Sequence, residues 1–270
     1  MKSFSIHNMG LVLTALMLTL PLNGYSQTMR GDFNMDGAVG VSDVTALIDY
    51  LLADYVGGMS TADRDTITVG DVSFVMVRVE GGTFMRKRDE CHSVSTFSVA
   101  QTEVTRALWA AVMDTTLGYV NPGADCPMDY VSWNECETFI SKLNEKTGLS
   151  FRMPTEYEWI FAATGGRLTR AYTYAGSDDL NEVAWYKENI PSGSIFMPVG
   201  SKAPNELGLY DMCGNAAEYC VPFDGNSGMT LHAAVHGGCS SDVAEFCAPL
   251  KVIYKDKDDK TGHVGLRLVL

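Results

Sequence analysis

The sequence has little positive charge and no apolar run long enough to cross a bilayer as a helix. Lysine and arginine number 20 against 33 aspartates and glutamates, so the formal net charge is −13 at pH 7. Nucleic acids and anionic membranes attract basic surfaces, and an acidic chain is a poor ligand for both. The apolar stretch at residues 9–22 is shorter than the roughly 20 residues that a spanning helix needs. The expectation is a protein without a transmembrane anchor or a nucleic-acid partner, with a charge suited to binding cations.

Residues 1–26 predict a secretory signal peptide. Lys2 supplies the positive charge, residues 9–22 supply the apolar segment, and Gly24 and Ser26 form a small-x-small exit. Export would place the protein in the periplasm, at the cell surface or outside the cell. Disulfides form in such compartments, but the seven cysteines are an odd number, so at least one thiol stays free or pairs between chains.

Residues 27–57 predict a small calcium-binding module. Oxygen-bearing side chains occupy the first, third, fifth and last positions of a loop at residues 32–43, and a glycine occupies the sixth. The expected ligands are Asp32, Asn34, Asp36, the carbonyl of Ala38, and Asp43. Apolar residues at helical spacing follow the loop. The stretch resembles one half of a type I dockerin, which implies an EF-hand-like calcium loop and, as a partner, a cohesin-like or other protein.

A polar linker at residues 58–65 separates this module from the main domain, residues 66–270. The main domain begins with an alternating apolar and polar run at residues 66–79, which predicts a strand or a hairpin. Beyond residue 170, Gly, Ser, Pro and Asn are frequent, which predicts short strands and long loops.

Three helices are predicted between these parts of the main domain. The first covers residues 102–113, and the second covers residues 133–146 and ends at a C-cap glycine, Gly148. The third begins with a capping box from Thr155 to Glu158.

Short phrases in a fixed order give the main domain a family resemblance. They are VRVEGGTF (77–84), EVTRALW (103–109), VSW (131–133), FRMPTEYEW (151–159), NELGLYDMCGNAAEY (205–219), HGGC (236–239) and GLRL (265–268). Together they resemble the formylglycine-generating enzyme (sulfatase-modifying factor) family over about residues 66–270. The resemblance implies an α+β, loop-rich fold related to C-type lectins. Irregular backbone needs partners for its polar groups, which bound ions or side chains commonly supply.

The resemblance also implies a structural calcium ion in the main domain. Carried over residue by residue, its ligands would be the Asp211 side chain, the carbonyls of Gly214 and Ala216, and the Glu218 side chain. Two carboxylates and two carbonyls within eight residues suit a hard cation. The alternative is a surface turn whose acidic groups are solvated.

The catalytic copper(I) of the family is held by two cysteines, and only one of the two positions is a cysteine here. Cys247 occupies the second position, and Asp242 occupies the first. A carboxylate is a hard ligand and cannot replace a thiolate on copper(I), so copper binding is not expected. Cys239 could supply a thiol only if the loop were rebuilt, since it lies eight residues from Cys247 rather than five. Burial or disulfide pairing of these cysteines is the simpler expectation.

Two other polar residues are candidates for a site. Arg267, in the GLRL phrase, is expected either to pair with a buried carboxylate or to position a ligand. His232 and His236 have the spacing of zinc ligands on a helix, but they precede Gly-Gly-Cys in a predicted strand, which would hold them about 13 Å apart. Histidines without a metal role are therefore expected.

The sequence thus predicts an exported, calcium-binding protein whose enzyme-like domain has lost catalysis and acts in binding or assembly. A formylglycine-generating oxidase, or a related monooxygenase acting on a protein cysteine, is the alternative, with Cys247 as its catalytic residue. A C-type-lectin-like ligand binder is the third interpretation.

Overall fold

The computed structural model describes residue 44 and residues 64–87, 90–115, 123–223 and 231–270. The chain separates into a smaller unit, Met1–Met59 with Met85–Cys91, and a larger one, Ser60–Phe84 with His92–Leu270. The predicted signal peptide and the predicted calcium loop at residues 32–43 lie outside the described residues. Within the described ranges, no helix is long and apolar enough to cross a membrane.

The described chain combines short strands and short helices with long loops. The strands are β1 (Arg64–Val69), β2 (Val72–Val79), β3 (Gly82–Lys87), β4 (Glu90–Val94), β5 (Phe97–Ala100), β6 (Ala217–Cys220), β7 (His232–His236), β8 (Ile253–Asp256) and β9 (Val264–Gly265). The helices are α1 (Arg106–Met113), α2 (Trp133–Thr147), α3 (Glu156–Ala163) and α4 (Leu180–Val183), with 3-10 turns at Gly166–Leu168 and Ala244–Cys247. This is the α+β composition expected from the sequence.

The strands form two main sheets. The first is antiparallel in the order β1-β2-β5, and the second has the order β8-β7-β6-β9 with β9 parallel to β6. The alternating run at residues 66–79 is a hairpin, which turns at Gly70 with a φ of 58°. A side chain at that left-handed position would be strained, so glycine sets the turn. Strands β3 and β4 pair separately.

Capping residues fix the starts of α2 and α3. The predicted capping box at Thr155 and Glu158 is present, and Ser132 and Glu135 form a second one at the start of α2. The predicted C-cap of α2, Gly148, adopts a left-handed φ of 71°. These ends depend on residues three or four apart, which is why local sequence predicts them.

Helix α1 begins four residues later than predicted. Its N-cap is Thr105, whose side chain accepts a hydrogen bond from the Leu108 amide. The preceding backbone is extended because Val104 is bonded on both sides: its amide donates to Leu266 O (2.9 Å) and its carbonyl accepts from Met128 N (2.8 Å). Long-range pairing therefore overrides the helical pattern at residues 102–105.

Residues 266–270 run beside β5 and carry Arg267 into the interior. Ala100 N donates to Leu268 O (2.8 Å), and Ser98 N donates to Leu270 O (3.1 Å). On the other side, Arg152 and Val269 exchange backbone hydrogen bonds of 2.8 and 2.9 Å.

Two hydrophobic clusters form the core of the larger unit. One contains Trp159 and Phe161 of α3, and the other contains Phe139 of α2. Strand β6 contributes side chains to both clusters, since Tyr219 belongs to the second and Cys220 to the first. Side chains alternate along a strand, so Glu218 faces the side of Cys220 and Trp159.

Candidate functional site

The loop at residues 208–219 adopts several left-handed conformations. Asp211 and Asn215 have φ values of 55° and 53°, which non-glycine residues seldom adopt. At Gly214, with a φ of 73°, a Cβ atom would collide with the carbonyl oxygen of Trp185. Asn215 N donates to that same carbonyl at 2.8 Å. The glycine is therefore required for the loop to approach the backbone at Trp185.

The Asn205 side chain fixes the start of this loop. Its Oδ1 accepts hydrogen bonds from Leu207 N and Leu209 N, both at 3.1 Å. Its Nδ2 donates to Ala162 O at 2.8 Å, which ties the loop to the end of α3. A single buried side chain thus provides hydrogen bonds to a loop whose backbone is not part of a helix or sheet.

Four buried ionisable side chains meet beneath the loop: Glu103, Asp211, Glu218 and Arg267, called here the acidic cluster. Arg267 is fully buried, and its Nε and Nη2 donate to both oxygens of Glu218 at 2.7–3.0 Å. Its other hydrogen bonds go to Ala100 O (2.9 Å) and Tyr210 O (2.8 Å). The structure therefore places Arg267 inside the domain as the partner of a carboxylate, the first of its two expected roles.

A further donor reaches the Glu218 carboxylate. The indole Nε1 of Trp159 donates to its Oε2 at 2.6 Å. Glu218 thus accepts four hydrogen bonds, three from Arg267 and one from Trp159. Its charge is compensated and its oxygens are occupied.

Glu103 and Asp211 are held by the loop in a different way. Glu103 accepts from Ala216 N (2.8 Å) and from Asn215 Nδ2 (3.0 Å), one donor for each oxygen. Asp211 Oδ2 accepts from Gly200 N (2.6 Å). The other oxygen, Asp211 Oδ1, is buried and has no hydrogen-bond partner among the described residues.

The pKa values of these two carboxyl groups reflect their burial and the excess of negative charge. Burial raises the pKa of Glu103 well above its usual value, and the neighbouring Asp211 and Glu218 raise it further. Burial raises the pKa of Asp211 to about 6, although the Gly200 amide and Arg267 oppose the rise. Without a cation, the charged form of each group is therefore costly.

The expected calcium ligands fit this geometry only in part. Asp211 offers an open, buried oxygen, whereas both oxygens of Glu218 are already engaged by Arg267 and Trp159. Across the ranges that the structure describes, no three Asp, Glu, His or Cys side chains converge as a metal site. A cation here would need main-chain carbonyls or water in addition to carboxylates.

The second candidate region is the thiol loop, residues 237–247. The side chain of Asp242 points back to Cys239, where its Oδ2 accepts from the amide (3.0 Å) and from the thiol (3.1 Å). Ser241 Oγ lies 3.2 Å from the same sulfur. Cys247 Sγ donates instead to Val243 O at 3.9 Å. Asp242 and Cys247 occupy the two positions that would hold copper in the family, and their side chains therefore bond to different neighbouring groups.

The thiols of this region are held in the protonated form. Burial, together with the Asp242 carboxylate, raises the pKa of Cys239 to about 11, although Ser241 opposes the rise. Burial also raises the pKa of Cys247, and the neighbouring Cys213 and Asp242 add to the rise. The described cysteines are free of disulfides. Thiolates are the metal-binding and nucleophilic species, so these surroundings disfavour both roles.

His232 and His236 lie on strand β7, as expected. His236 is buried: its Nε2 lies 3.3 Å from Glu156 Oε1, and its ring stacks on Trp159 with centroids 5.1 Å apart. Glu156 also accepts from Phe223 N at 2.7 Å. His236 thus belongs to the core, and the described residues show no zinc-binding group that includes it.

One residue of the acidic cluster, Glu103, was not singled out from the sequence, and neither was Trp159, the donor to Glu218. Both were quoted only as parts of family phrases. The available signal for Glu103 was a charged residue next to Val104, at the start of the phrase EVTRALW. Burial of that carboxylate becomes visible only when residues 211–216 are placed beside it.

Comparison with known proteins supports the resemblance. The family model described as the sulfatase-modifying factor enzyme 1-like domain, FGE-sulfatase, matches residues 70–270. The chain is 29% identical over 279 residues to the chaperone protein LppX of Paenibacillus barcinonensis, covering 82% of this chain and 97% of that protein. It is 29% identical over 124 residues to the inactive C-alpha-formylglycine-generating enzyme 2 of Bos taurus, which spans 43% of this chain and 39% of that protein.

A third curated relative and two solved structures extend the comparison. The formylglycine-generating enzyme of Thermomonospora curvata is 33% identical over 107 residues, which span 35% of this chain and 33% of the enzyme. Treponema denticola variable protein 1 superposes with a TM-score of 0.66 at 26% identity, over 77% of this chain and 99% of that one. PvdO from Pseudomonas aeruginosa has a TM-score of 0.63 at 19% identity, over 76% and 97% of the two chains, and shares the fold.

Proposed function

Because the chain belongs to the sulfatase-modifying factor enzyme 1-like domain family, we propose that it is an exported, calcium-binding member that acts in binding or assembly and does not make formylglycine. The observation that carries this proposal is the arrangement of the thiol loop. Asp242 occupies the position at which the family has a copper-binding cysteine, and its carboxylate accepts hydrogen bonds from Cys239. Cys247 therefore has no thiolate partner at the family position.

The residues present do not fit copper(I). Two soft sulfur ligands are required, and this loop offers one cysteine and one hard carboxylate at the two positions. Recruiting Cys239 would break its contacts with Asp242 and Ser241. The raised pKa values of Cys239 and Cys247 add the cost of forming two buried thiolates.

A role in binding or assembly is consistent with the relatives. The chaperone protein LppX matches over 97% of its own length, so the likeness extends across that whole protein. The matched enzyme of Bos taurus carries the description inactive, which shows that relatives without the activity exist. The proposed partner is accordingly another protein.

The proposal includes export through residues 1–26 and two calcium ions. One ion is assigned to the loop at residues 32–43, on the strength of its ligand spacing. The other is assigned to the main domain near Asp211, on the strength of its buried open oxygen. Both assignments agree with the acidic charge of the chain.

A peptide assay tests the loss of catalysis. A sulfatase-type cysteine peptide is incubated with the protein, copper and oxygen, and the formylglycine-generating enzyme of Thermomonospora curvata serves as positive control. We expect no loss of about 18 mass units, the difference between a thiol and an aldehyde side chain. Conversion above the protein-free background would overturn the proposal in favour of an oxidase.

A ligand-binding role is the second candidate, because the structure contains a shallow cavity beside α2. Its volume of about 510 Å³ lies in the range of small-molecule sites. The lining is mixed, with Trp133, Ile140 and Phe151 beside Arg152 and Glu137. Such a cavity could take an amphipathic ligand, as a C-type-lectin-like binder would.

Glycan and peptide arrays test this second candidate. Ser141→Trp would fill the cavity from an exposed helix position, and Glu145→Trp on the same helix is the control outside its lining. A ligand of the cavity should lose binding in the first variant and keep it in the second. Equal binding by both variants would assign the ligand to another surface.

A further inference from the structure

The cavity beside α2 is elongated, with a helix as one wall and extended chain as the other. The helix contributes one face to the lining: Trp133, Glu137, Ile140, Ser141 and Asn144. From residue 133 to residue 144 the axis advances about 16 Å. The facing wall is the segment 151–155, which backbone bridges fix at Arg152 and Thr155. Five residues of extended chain also cover about 16 Å, so the cavity has the length of a short extended peptide.

The floor of the cavity is apolar. Ile140, Phe151 and Met153 belong to the second hydrophobic cluster and are buried there. Val221, at the rim, is 38% exposed. Because core packing fixes the floor, an occupant's apolar side chains can leave water here without reordering the wall.

Most polar groups of the lining already have partners inside the protein. Asn144 Nδ2 donates to Phe151 O (3.0 Å), and Phe151 N donates to Asn144 Oδ1 (2.7 Å). Arg152 donates to both oxygens of Glu158, at 2.7 and 2.6 Å. Glu158 also accepts from the amide and the hydroxyl of Thr155, both at 2.9 Å. The positive charge of Arg152 is therefore compensated within the wall.

Glu137 is the charged group of the lining that is left over. It is exposed, and within the described ranges its carboxylate has no hydrogen-bond or ion-pair partner. The neighbouring Glu135, by contrast, is paired with Lys260 at 2.6 Å. Lys257 Nζ lies 5.0 Å from the centre of the Trp133 ring, so a cation of the protein already lies over that aromatic face. A cationic group of an occupant would consequently pair with Glu137, and the net charge of −13 adds to the attraction.

We propose that the cavity beside α2 binds an extended peptide segment of a partner protein, in which a lysine or arginine lies between two apolar residues. The inference rests on the proposed role in binding and specifies the chemistry of the partner's segment. Alternate side chains of an extended chain point the same way, so the two apolar residues can face Ile140 and Met153. The basic residue between them then points to the rim, where its alkyl stem lets it reach Glu137.

Fluorescence anisotropy of a labelled peptide with the full chain tests the inference. The probe is Gly-Gly-Leu-Lys-Leu-Gly-Gly with blocked termini, and matched peptides replace the lysine with glutamate or both leucines with serine. We expect the lysine peptide to bind and either replacement to weaken binding about fivefold or more at low salt. Hexylamine, which has an amine and an apolar chain but no peptide backbone, is tested as a competitor and should not displace the probe at the concentration at which unlabelled peptide does.

Substitutions on α2 locate the binding. Glu137→Gln should weaken the lysine peptide about threefold to fivefold, and Glu137→Lys should reverse the preference so that the glutamate peptide binds better. Glu145→Gln and Glu145→Lys are the matched controls, because Glu145 is an exposed glutamate of the same helix outside the lining. They change the net charge equally and should leave both affinities within about twofold. Ser141→Trp should abolish binding by filling the cavity, with an unchanged melting temperature showing that the fold is intact.

Three results would overturn the inference. Equal effects of the Glu137 and Glu145 variants would assign the binding to net charge rather than to the cavity. Displacement by hexylamine as effective as that by unlabelled peptide would assign the cavity to a small amine. Absence of binding by the lysine peptide would reject the peptide segment, while the glycan array would still decide ligand binding at the cavity and the mass assay the loss of catalysis.

Discussion

Replacing Arg267 with methionine removes the one positive charge in the acidic cluster. Methionine has a similar length and suits a buried site, so the change leaves most of the packing volume filled. What it removes is five hydrogen bonds: three to Glu218, one to Ala100 O and one to Tyr210 O. Glu218 would then be a buried carboxylate without its cation.

The expected loss of stability is large. Removing one member of a buried ion pair costs about 3–5 kcal/mol, because the other charge is left uncompensated. Each carbonyl that loses its donor adds about 1–3 kcal/mol if nothing replaces the bond. The sum is at least about 5 kcal/mol, a substantial part of the roughly 5–15 kcal/mol that stabilises a typical domain.

Urea unfolding followed by tryptophan fluorescence at fixed calcium measures this loss. Arg152→Met is the control, because Arg152 also binds a glutamate with two nitrogens but has a side chain that is 46% exposed. We expect this control to cost less than about 1 kcal/mol. Adding Glu218→Gln to Arg267→Met should restore at least about 1 kcal/mol, since it removes the uncompensated charge. If the two arginine variants lost equal stability at equal m-values, the reasoning about the cluster would be refuted.

Three further outcomes are expected. Burial raises the pKa of Glu158, but the hydrogen bonds and charge of Arg152 and the Thr155 amide lower it more, so its net pKa lies below the usual value. The ionised Glu158 carboxylate therefore stabilises the fold above its unfolded-state pKa, and this stabilisation is lost as the pH falls through its folded-state pKa. Glu158→Gln should lower the melting temperature at pH 7, and the difference from the parent protein should shrink below about pH 4. A constant difference down to pH 3 would contradict this. Asp32→Ala with Asp43→Ala should remove one calcium ion per chain in calorimetry of the full protein, and an unchanged stoichiometry would reject the N-terminal loop as a site. Asp242→Cys should restore copper(I) binding without peptide conversion, and failure to bind copper would show that the missing thiolate is not the main defect.

The parts of the fold set by neighbouring residues were predictable from the sequence. The capping box of α3, the C-cap of α2 and the strand that contains His232 and His236 all follow from local patterns, and the structure confirms them. The start of α1 was wrong by four residues, because backbone pairing of Val104 with Leu266 and Met128 is not visible in local periodicity.

The acidic cluster could be predicted only in part for the same reason. Arg267 was expected either to pair with a buried carboxylate or to position a ligand, and the carboxylate with which it pairs lies 49 residues away in the sequence. Glu103 bonds the backbone of Ala216 across 113 residues. The family resemblance assigned Asp211 and Glu218 to one site, and neither the resemblance nor local spacing indicates that Arg267 occupies the Glu218 carboxylate.

The position of residues 266–270 beside β5 bears on when the domain can fold during synthesis. Arg267 bonds Ala100 across 167 residues, and Leu266 and Leu268 bond the backbone of Val104 and Ala100. A chain emerging from the ribosome therefore holds β5, α1 and β6 long before the segment that joins them is available. Until then Glu218 lacks its arginine, and one backbone edge of β5 lacks its hydrogen-bond partner. Contacts this distant in sequence form slowly. The domain should accordingly complete its fold only after residues 266–270 have left the ribosome and can pair with β5.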